Sequence, residues 1–378
     1  MIRVGVVGAS GWAGASHLPA LAKLATSEDA AFEVTAVATT SQASADKAAA
    51  AHGVPLAFAD AGTLAAHPDV DLVVVSVRAA EHAKVVRAAL AARKHVFCEW
   101  PLGVDADEAE ELAKAAAAAG VVHAVNLQGH HSPDARYVAG LVADGAIGRL
   151  ESVTLVAAGD PLGGPRIAPD LAWSTDPAGG VSVLTVMAGH FLATLERTAG
   201  RLVEVSARLP RSYDRVEVAG TGRTVPNNVP SHVLLHGVLE SGATASVAVH
   251  GGSASPDGFL IKLVGSEGTV TATHVRPGTY MHWTDWDITL NGQSVTVPDT
   301  YRTAGFDPAG GPVANVAALY QDIAAALAEG RRPRVDFHAA AAHHRLLAAI
   351  ERSALSGAAE TVPAMPTVKP TTGTATVN

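Results

Sequence analysis

MIRVGVVGASGWAGASHLPAL, residues 1–21, decides the fold. Ile2–Val7 is a short, mostly apolar run that stops at Gly8, and His17–Leu24 then carries Leu18, Leu21 and Leu24 at helical spacing. Between them lies Gly8-Ala9-Ser10-Gly11-Trp12-Ala13-Gly14, a glycine-rich passage from strand to helix. Such a turn lets backbone N–H groups approach a pyrophosphate at the start of the helix. Ser10 stands where the usual spacing has its second glycine, so the motif alone is weak. A turn needed only for close packing is the competing reading.

The following residues favour dinucleotide binding. Phe32–Ala38, Asp71–Val77 (DLVVVSV), Lys94–Cys98 and Val121–Asn126 read as strands, with helices at Glu81–Ala92 and Asp105–Ala119. Continuous apolar strands alternating with helices mean a parallel sheet covered on both faces. Gly8, Ser10, Gly11, Trp12 and Ala13 are therefore expected to contact the cofactor. The second strand ends in Thr39-Thr40-Ser41, where an NAD-selective site usually has a carboxylate for the ribose hydroxyls. Hydroxyls do not repel a 2′-phosphate, so the expected cofactor is NADP or NAD, with NADP slightly preferred. The nearest base is Lys47, and no arginine stands close by. Val77, Arg78 and His82 follow the DLVVVSV strand, on the expected path of a cofactor ribose.

From about Glu151 the pattern changes to strands rich in alternating Val and Thr, joined by turns such as Asn291-Gly292. Helical segments at Val313–Glu329 and Phe337–Leu355 follow. The expected architecture is an α/β domain over residues 1–125, an α+β domain with a large open, mostly antiparallel sheet over 126–358, and a loose Pro/Thr-rich tail over 359–378. With 378 residues, 48% of them hydrophobic, the chain has enough apolar material for two cores. A net charge of −9 with mixed signs argues against nucleic acid and anionic membranes as partners. Cys98 is the only cysteine, which excludes an internal disulfide framework and suits the cytoplasm. With no uninterrupted apolar stretch of about 18 residues, the chain is expected to be soluble and cytoplasmic. C-x-x-C, H-E-x-x-H and calcium-loop patterns are missing, so no metal is expected.

Several blocks in order then carry a resemblance: Gly8…Gly11, His17-Leu18-Pro19-Ala20-Leu21, Ala88-Ala89-Leu90 with Lys94-His95-Val96, Glu99-x-Pro101, Asp144-Gly145-Ala146-Ile147-Gly148, Gly179-Gly180…His190, Asn315-Val316-Ala317…Tyr320 and Gly330…Pro333. Over most of residues 1–358 the chain resembles the Gfo/Idh/MocA oxidoreductases. Glu99-Trp100-Pro101-Leu102-Gly103, with Gly11-Trp12-Ala13, Val77-Arg78 and Asn126-Leu127-Gln128-Gly129, is most similar to the branch containing the galactose regulator Gal80 and its bacterial relatives.

The resemblance implies a Rossmann-type first domain, an NAD(P)-linked reaction on a sugar or polyol, and homo-oligomers built through the second-domain sheet. It implies site roles for Glu99, Trp100, Pro101 and Gln128 beside the cofactor, and a proton-transfer role for His190, with His131 as a second candidate. Two departures stand out. The family's lysine is Trp100 here, and its aspartate, one helical turn before the histidine, is Val186. Indole is a donor only and valine has no polar atom, so neither replaces a titratable group. Trp100 is instead expected to act as a stacking platform for nicotinamide or sugar. The missing pair also opens the alternative of a non-catalytic dinucleotide-binding sensor acting through another protein.

Other residues are read more plainly. His17 is expected to hold the glycine loop, and one of His130 and His131 to meet ligand. Cys98 should be a buried hydrophobe, and His343-His344 a solvated helix face. Trp173, Trp283 and Trp286 are expected at a sugar pocket, an oligomer interface or in sheet packing, and Asp160, Arg166 and Tyr301 in loops able to reach a sugar.

Overall fold

The computed structural model describes residues 1–27, 30–252, 258–274, 280–307 and 311–364. Its first sheet has six parallel strands: β1 (Ile2–Val7), β2 (Phe32–Ala38), β3 (Leu56–Phe58), β4 (Leu72–Val75), β5 (His95–Cys98) and β6 (His123–Val125). Their spatial order is β3-β2-β1-β4-β5-β6. The order reverses direction between β1 and β4, and open α/β sheets place their ligands at the strand ends of such a switch point. The glycine turn leaves β1 at that crevice. β4 and the inner ends of β1 and β5 are fully buried, as strands covered on both faces must be.

Helix limits follow local chemistry. Asp105 caps the helix Ala106–Ala119 through its side chain, and Gly120 ends it in the left-handed conformation. Ser41 caps Gln42–His52 in the same way.

The second sheet has nine strands, built around Leu150–Gly159. That strand pairs parallel to Thr244–Gly251 and antiparallel to Phe259–Gly265. One face packs on helices, including Gly189–Ala199 and Phe337–Ser356, and the other is open. The expected loose tail needs correction at its start. Glu360 and Thr361 pair antiparallel with Val205 and Glu204, and Val362 is buried. Residues 365–378 lie outside the described residues. Pro177–Ala199 is long and apolar enough to cross a membrane by length and composition, but 72% of its most apolar 18-residue window is buried inside the protein, as in a core helix.

Asp134, near the start of the helix Pro133–Ala143, accepts a hydrogen bond from the Trp286 backbone N–H at 3.1 Å and is 2% exposed. Burial pushes its carboxyl up to about 6, helped by the Asp285 charge and opposed by the Trp286 N–H. A carboxyl raised in the folded state favours folding most below its unfolded pKa of about 3.9, and that contribution is lost as pH rises through about 6. Asp134→Asn should therefore stabilise the protein at pH 8 by about 1–3 kcal/mol and change little at pH 4. Melting temperatures of parent and variant at the two pH values check this, the difference between them isolating the one group.

Candidate functional site

Gly8 must be glycine. It has φ +87°, and a Cβ there would lie 2.0 Å from the Ser76 carbonyl oxygen at the end of β4. Gly11 has φ +54°, and nothing lies within 4 Å of where its Cβ would be. Ala13 is buried beneath the turn and Ser10 is exposed above it. The turn thus has a packed floor and an open upper side at the switch point, which fits a dinucleotide. Thr39 sits at the end of β2, where its hydroxyl approaches the Ser44 hydroxyl and the Ser41 carbonyl; Thr40 and Ser41 are exposed. Arg78 lies over the Trp173 ring at 5.1 Å, a bridge between the two domains beside the same crevice.

Glu99 follows β5 and is held by His17, Asn126 and Trp12. His17 Nε2 donates to its Oε1, and Asn126 Nδ2 donates to the same oxygen at 2.7 Å. The Tyr320 hydroxyl, from the second-domain helix Pro312–Glu329, lies 2.8 Å from His17 Nδ1. Burial pushes the Glu99 carboxyl up, but the His17 hydrogen bond and charge outweigh it, and the net shift is downward. His17 thus ties the glycine loop to Glu99, as the sequence indicates. Glu99 itself is 9% exposed and anchored inward.

Trp100 departs from expectation. Its indole is 5% exposed, and Nε1 donates to the Thr185 carbonyl at 2.7 Å. The ring lies 4.5 Å from that of His344 and 5.2 Å from that of His343. A Cβ on Gly189 would come within 2.7 Å of Nε1. The side chain is therefore wedged against the π-helical turn Val183–Ala188 and cannot serve as an open platform. The Trp100–Pro101 peptide is cis. His343 and His344 are correspondingly buried, not solvated; His343 meets the Gly189 carbonyl and Glu196 at 2.7 and 3.1 Å. The expected cofactor contact of His82 is corrected as well. It is 1% exposed, with Nδ1 2.8 Å from the Pro101 carbonyl and Nε2 3.1 Å from that of Val77. It braces the Pro101 turn, and Pro101 is buried with it. Val77 packs against Gly8.

His190 lies in the first turn of the helix Gly189–Ala199 and is 7% exposed. Its Nδ1 has no hydrogen-bond partner among the described residues. Burial lowers its pKa to about 4, against the pull of Glu99 and with the help of His343. His131, paired with it in expectation, stands elsewhere. It lies 3.7 Å from Asp322, and no ring contact or hydrogen bond joins it to His190 among the described residues. Arg166 pairs with Glu217 at 3.2 Å, and Tyr301 packs on Tyr137 and Arg136, so neither reaches the cleft.

Of Tyr280-Met281-His282-Trp283 the sequence indicated only Trp283, as a candidate for a sugar pocket, an oligomer interface or sheet packing. Trp283 stacks on Trp12 of the glycine turn at 5.5 Å and 25°, and its Nε1 donates to Gln128 Oε1 at 2.8 Å. Gln128 therefore holds Trp283 in place. His282 lies 4.8 Å from His190, and Tyr280 lies 4.6 Å from Trp283. Asn126 Oδ1, His190 Nδ1 and both nitrogens of His282 are buried without hydrogen-bond partners among the described residues, while the Trp12 indole N–H leans on the Glu99 carboxylate and helps to lower it. Buried polar atoms are nearly always paired, so a cluster of unpaired ones marks a binding site. Trp286, by contrast, packs in the sheet, its Nε1 donating to the Met281 carbonyl at 2.6 Å.

A six-stranded parallel sheet with its glycine turn at the switch point, closed by a second domain that brings a histidine, defines a Rossmann-type dinucleotide-binding protein. Residues 2–127 match the oxidoreductase family with an NAD-binding Rossmann fold, and residues 133–273 match the Gal80p C-terminal domain. The first part of the chain thus matches the Gfo/Idh/MocA oxidoreductase family and the second the Gal80p C-terminal domain. It is 29% identical over 260 residues to the galactose/lactose metabolism regulatory protein GAL80 of Saccharomyces cerevisiae, covering 64% of this chain and 58% of that protein. It is 29% identical over 248 residues to the dehydrogenase aclE of Aspergillus oryzae, covering 63% and 67%. The chain thus spans less than two thirds of the yeast regulator. Among solved structures, levoglucosan dehydrogenase in complex with NADH and L-sorbose superposes with a TM-score of 0.85 at 21% identity, covering 96% of this chain and 99% of that one. A super-repressor mutant of yeast Gal80p gives 0.83 at 24%, covering 96% and 98%. Those identities speak for the fold alone.

Proposed function

We propose that the protein is an NAD(P)-dependent oxidoreductase acting on a sugar or polyol, with His190 as its proton-transfer group. The observation that carries this reading is the set of unpaired buried polar atoms on Asn126, His190 and His282, tied to the glycine turn by the stack of Trp283 on Trp12. A nicotinamide dinucleotide held at the turn supplies the hydride acceptor or donor. Gly8, Ser10, Gly11 and Trp12 hold it along the turn, and Arg78 guards the crevice. Glu99, fixed by His17 and Asn126, sets the depth of the pocket. His190, kept uncharged by burial, offers a lone pair to the hydroxyl proton as the alcohol carbon gives up its hydride, leaving a ketone. Trp100 contributes by fixing the π-helical turn before His190, not by touching ligand.

The absence of a carboxylate at Thr39, Thr40 and Ser41 supports acceptance of both cofactors, with NADP slightly ahead. Thr39→Asp should weaken NADP binding by at least about tenfold, because a carboxylate there repels the 2′-phosphate, while NAD binding holds or improves. Fluorescence titration with NADH and NADPH reads both. Equal loss of the two would place the cofactor elsewhere.

Assembly through the second-domain sheet has support on its open face. Leu234, Ala248, Val156 and Leu260 stand in register across four strands, and Leu234 and Val156 are 41% and 42% exposed. An apolar row on an open sheet face suits a second copy of the chain.

A sensor resembling Gal80 is the second reading. It is favoured by the enclosure of Trp100 where the family has lysine, and by the match of the second domain to that of Gal80p. Nicotinamide absorbance, followed while the protein and NAD⁺ or NADP⁺ meet a panel of sugars and cyclitols, separates the two. Turnover supports the oxidoreductase; bound cofactor without turnover supports the sensor.

A further inference from the structure

His282 holds both ring nitrogens in the interior, 1% exposed, without a partner among the described residues. The ring is not there by slack in the chain. Asn315 Nδ2 donates to the His282 backbone carbonyl, and the residue lies in the short helical turn Met281–Trp283. Its ring faces His190 at 4.8 Å and 35°, Tyr280 at 5.5 Å and Trp283 at 5.5 Å. Packing of that kind needs an aromatic ring but no nitrogen. Leaving a buried polar group unpaired costs about 1–3 kcal/mol, which phenylalanine would avoid. A ligand that pairs with the nitrogens removes the cost.

We infer that His282 is a second substrate-binding residue, forming with His190 a two-imidazole cradle for neighbouring hydroxyls of an uncharged sugar or polyol. The inference rests on the oxidoreductase reading for the role of His190, and adds both a residue and a substrate class. Each uncharged imidazole offers one donor and one acceptor, which is what a hydroxyl needs on its two sides. Burial, and then the neighbouring His190, keep His282 uncharged. The groups gathered here, Trp12, Gln128, His190, Tyr280, His282 and Trp283, include no lysine or arginine. Phosphate or carboxylate on the substrate would find no counter-charge among them. Aromatic faces beside hydroxyl-binding groups suit the apolar face of a sugar ring.

The test uses the whole protein, labelled with ¹⁵N-histidine, loaded with NADH and titrated with L-sorbose, levoglucosan and myo-inositol, with glucose 6-phosphate as the charged comparison. Resonances of the two imidazoles, identified by their loss in His282→Phe and His190→Phe, should move with a neutral sugar and not with the phosphate. His282→Phe should weaken sugar binding by about tenfold, the loss of one or two hydrogen bonds, at unchanged NADH affinity and with a melting temperature above the sugar-free parent's, and His282→Gln should restore part of the binding. The inference is overturned if no neutral sugar moves either imidazole, or if His282→Phe binds sugar as tightly as the parent. Should His282→Phe fail to fold, loss of the resonance in His282→Gln assigns it, and the titration of the unmutated protein decides. Imidazoles that respond to sugar without any nicotinamide turnover would remove the oxidoreductase reading while leaving His282 as a ligand-binding residue.

Discussion

Replacing His190 by alanine lowers kcat for sugar oxidation by about 10²–10⁴-fold, the range for loss of a positioned general base. Dinucleotide affinity and melting temperature stay near the parent's, because Nδ1 makes no hydrogen bond that the fold depends on. The family's lysine and aspartate are absent, and His282, 4.8 Å away, is engaged with the neighbouring hydroxyl. Burial has already lowered the imidazole to about 4, so the parent's kcat carries no limb near the ordinary histidine value and falls only as pH approaches 4. Steady-state kinetics of parent and variant from acid to neutral pH check both statements. A variant that turns over within threefold of the parent would remove His190 from its role.

Trp100→Ala should destabilise the protein by about 3–5 kcal/mol, the cost of truncating a buried tryptophan. The indole lies against both His343 and His344 and its N–H is bound to the Thr185 carbonyl. Alanine therefore leaves a cavity and an unpaired carbonyl at the turn that positions His190. Trp100→Lys fares no better, since it buries an ammonium beside His344, which burial has lowered to about 3 and which supplies no counter-charge. Restoring the family's lysine by single substitution, even with Val186→Asp, is thus expected to cost folding before it yields activity. Urea unfolding of Trp100→Ala, Trp100→Lys and the parent measures this. A loss below about 1 kcal/mol for Trp100→Ala would mean that the indole is not packed as described.

Much of this was legible in the sequence where a signal is periodic or local. β1, β2, β4, β5 and β6 appear as apolar runs, and the glycine turn follows the first. β3, Leu56–Phe58, has three residues at the sheet edge and gives no pattern long enough to read. Side-chain direction is where the sequence falls short. Glu99-Trp100-Pro101 marks the site, but nothing in it says that the indole turns toward the helix Phe337–Ser356. His343-His344 looks solvated on a helix that in fact packs against both the helix Ala106–Ala119 and the strand Leu202–Arg208. His131 adjoins Gln128 in sequence, yet the backbone carries its ring to Asp322. His282 lies in a segment without periodicity, and long-range contacts bring it to His190: the stack of Trp283 on Trp12, the Trp283–Gln128 hydrogen bond and that of Asn315 to the His282 carbonyl.

Hydride transfer itself can be followed with NADH deuterated at C4 and the ketose L-sorbose, with further keto sugars alongside, the products being weighed by mass spectrometry. The account expects one deuterium per reduced sugar, on the former carbonyl carbon, and none with His190→Ala. NADH that binds at the glycine turn but never passes its label to any sugar would contradict it.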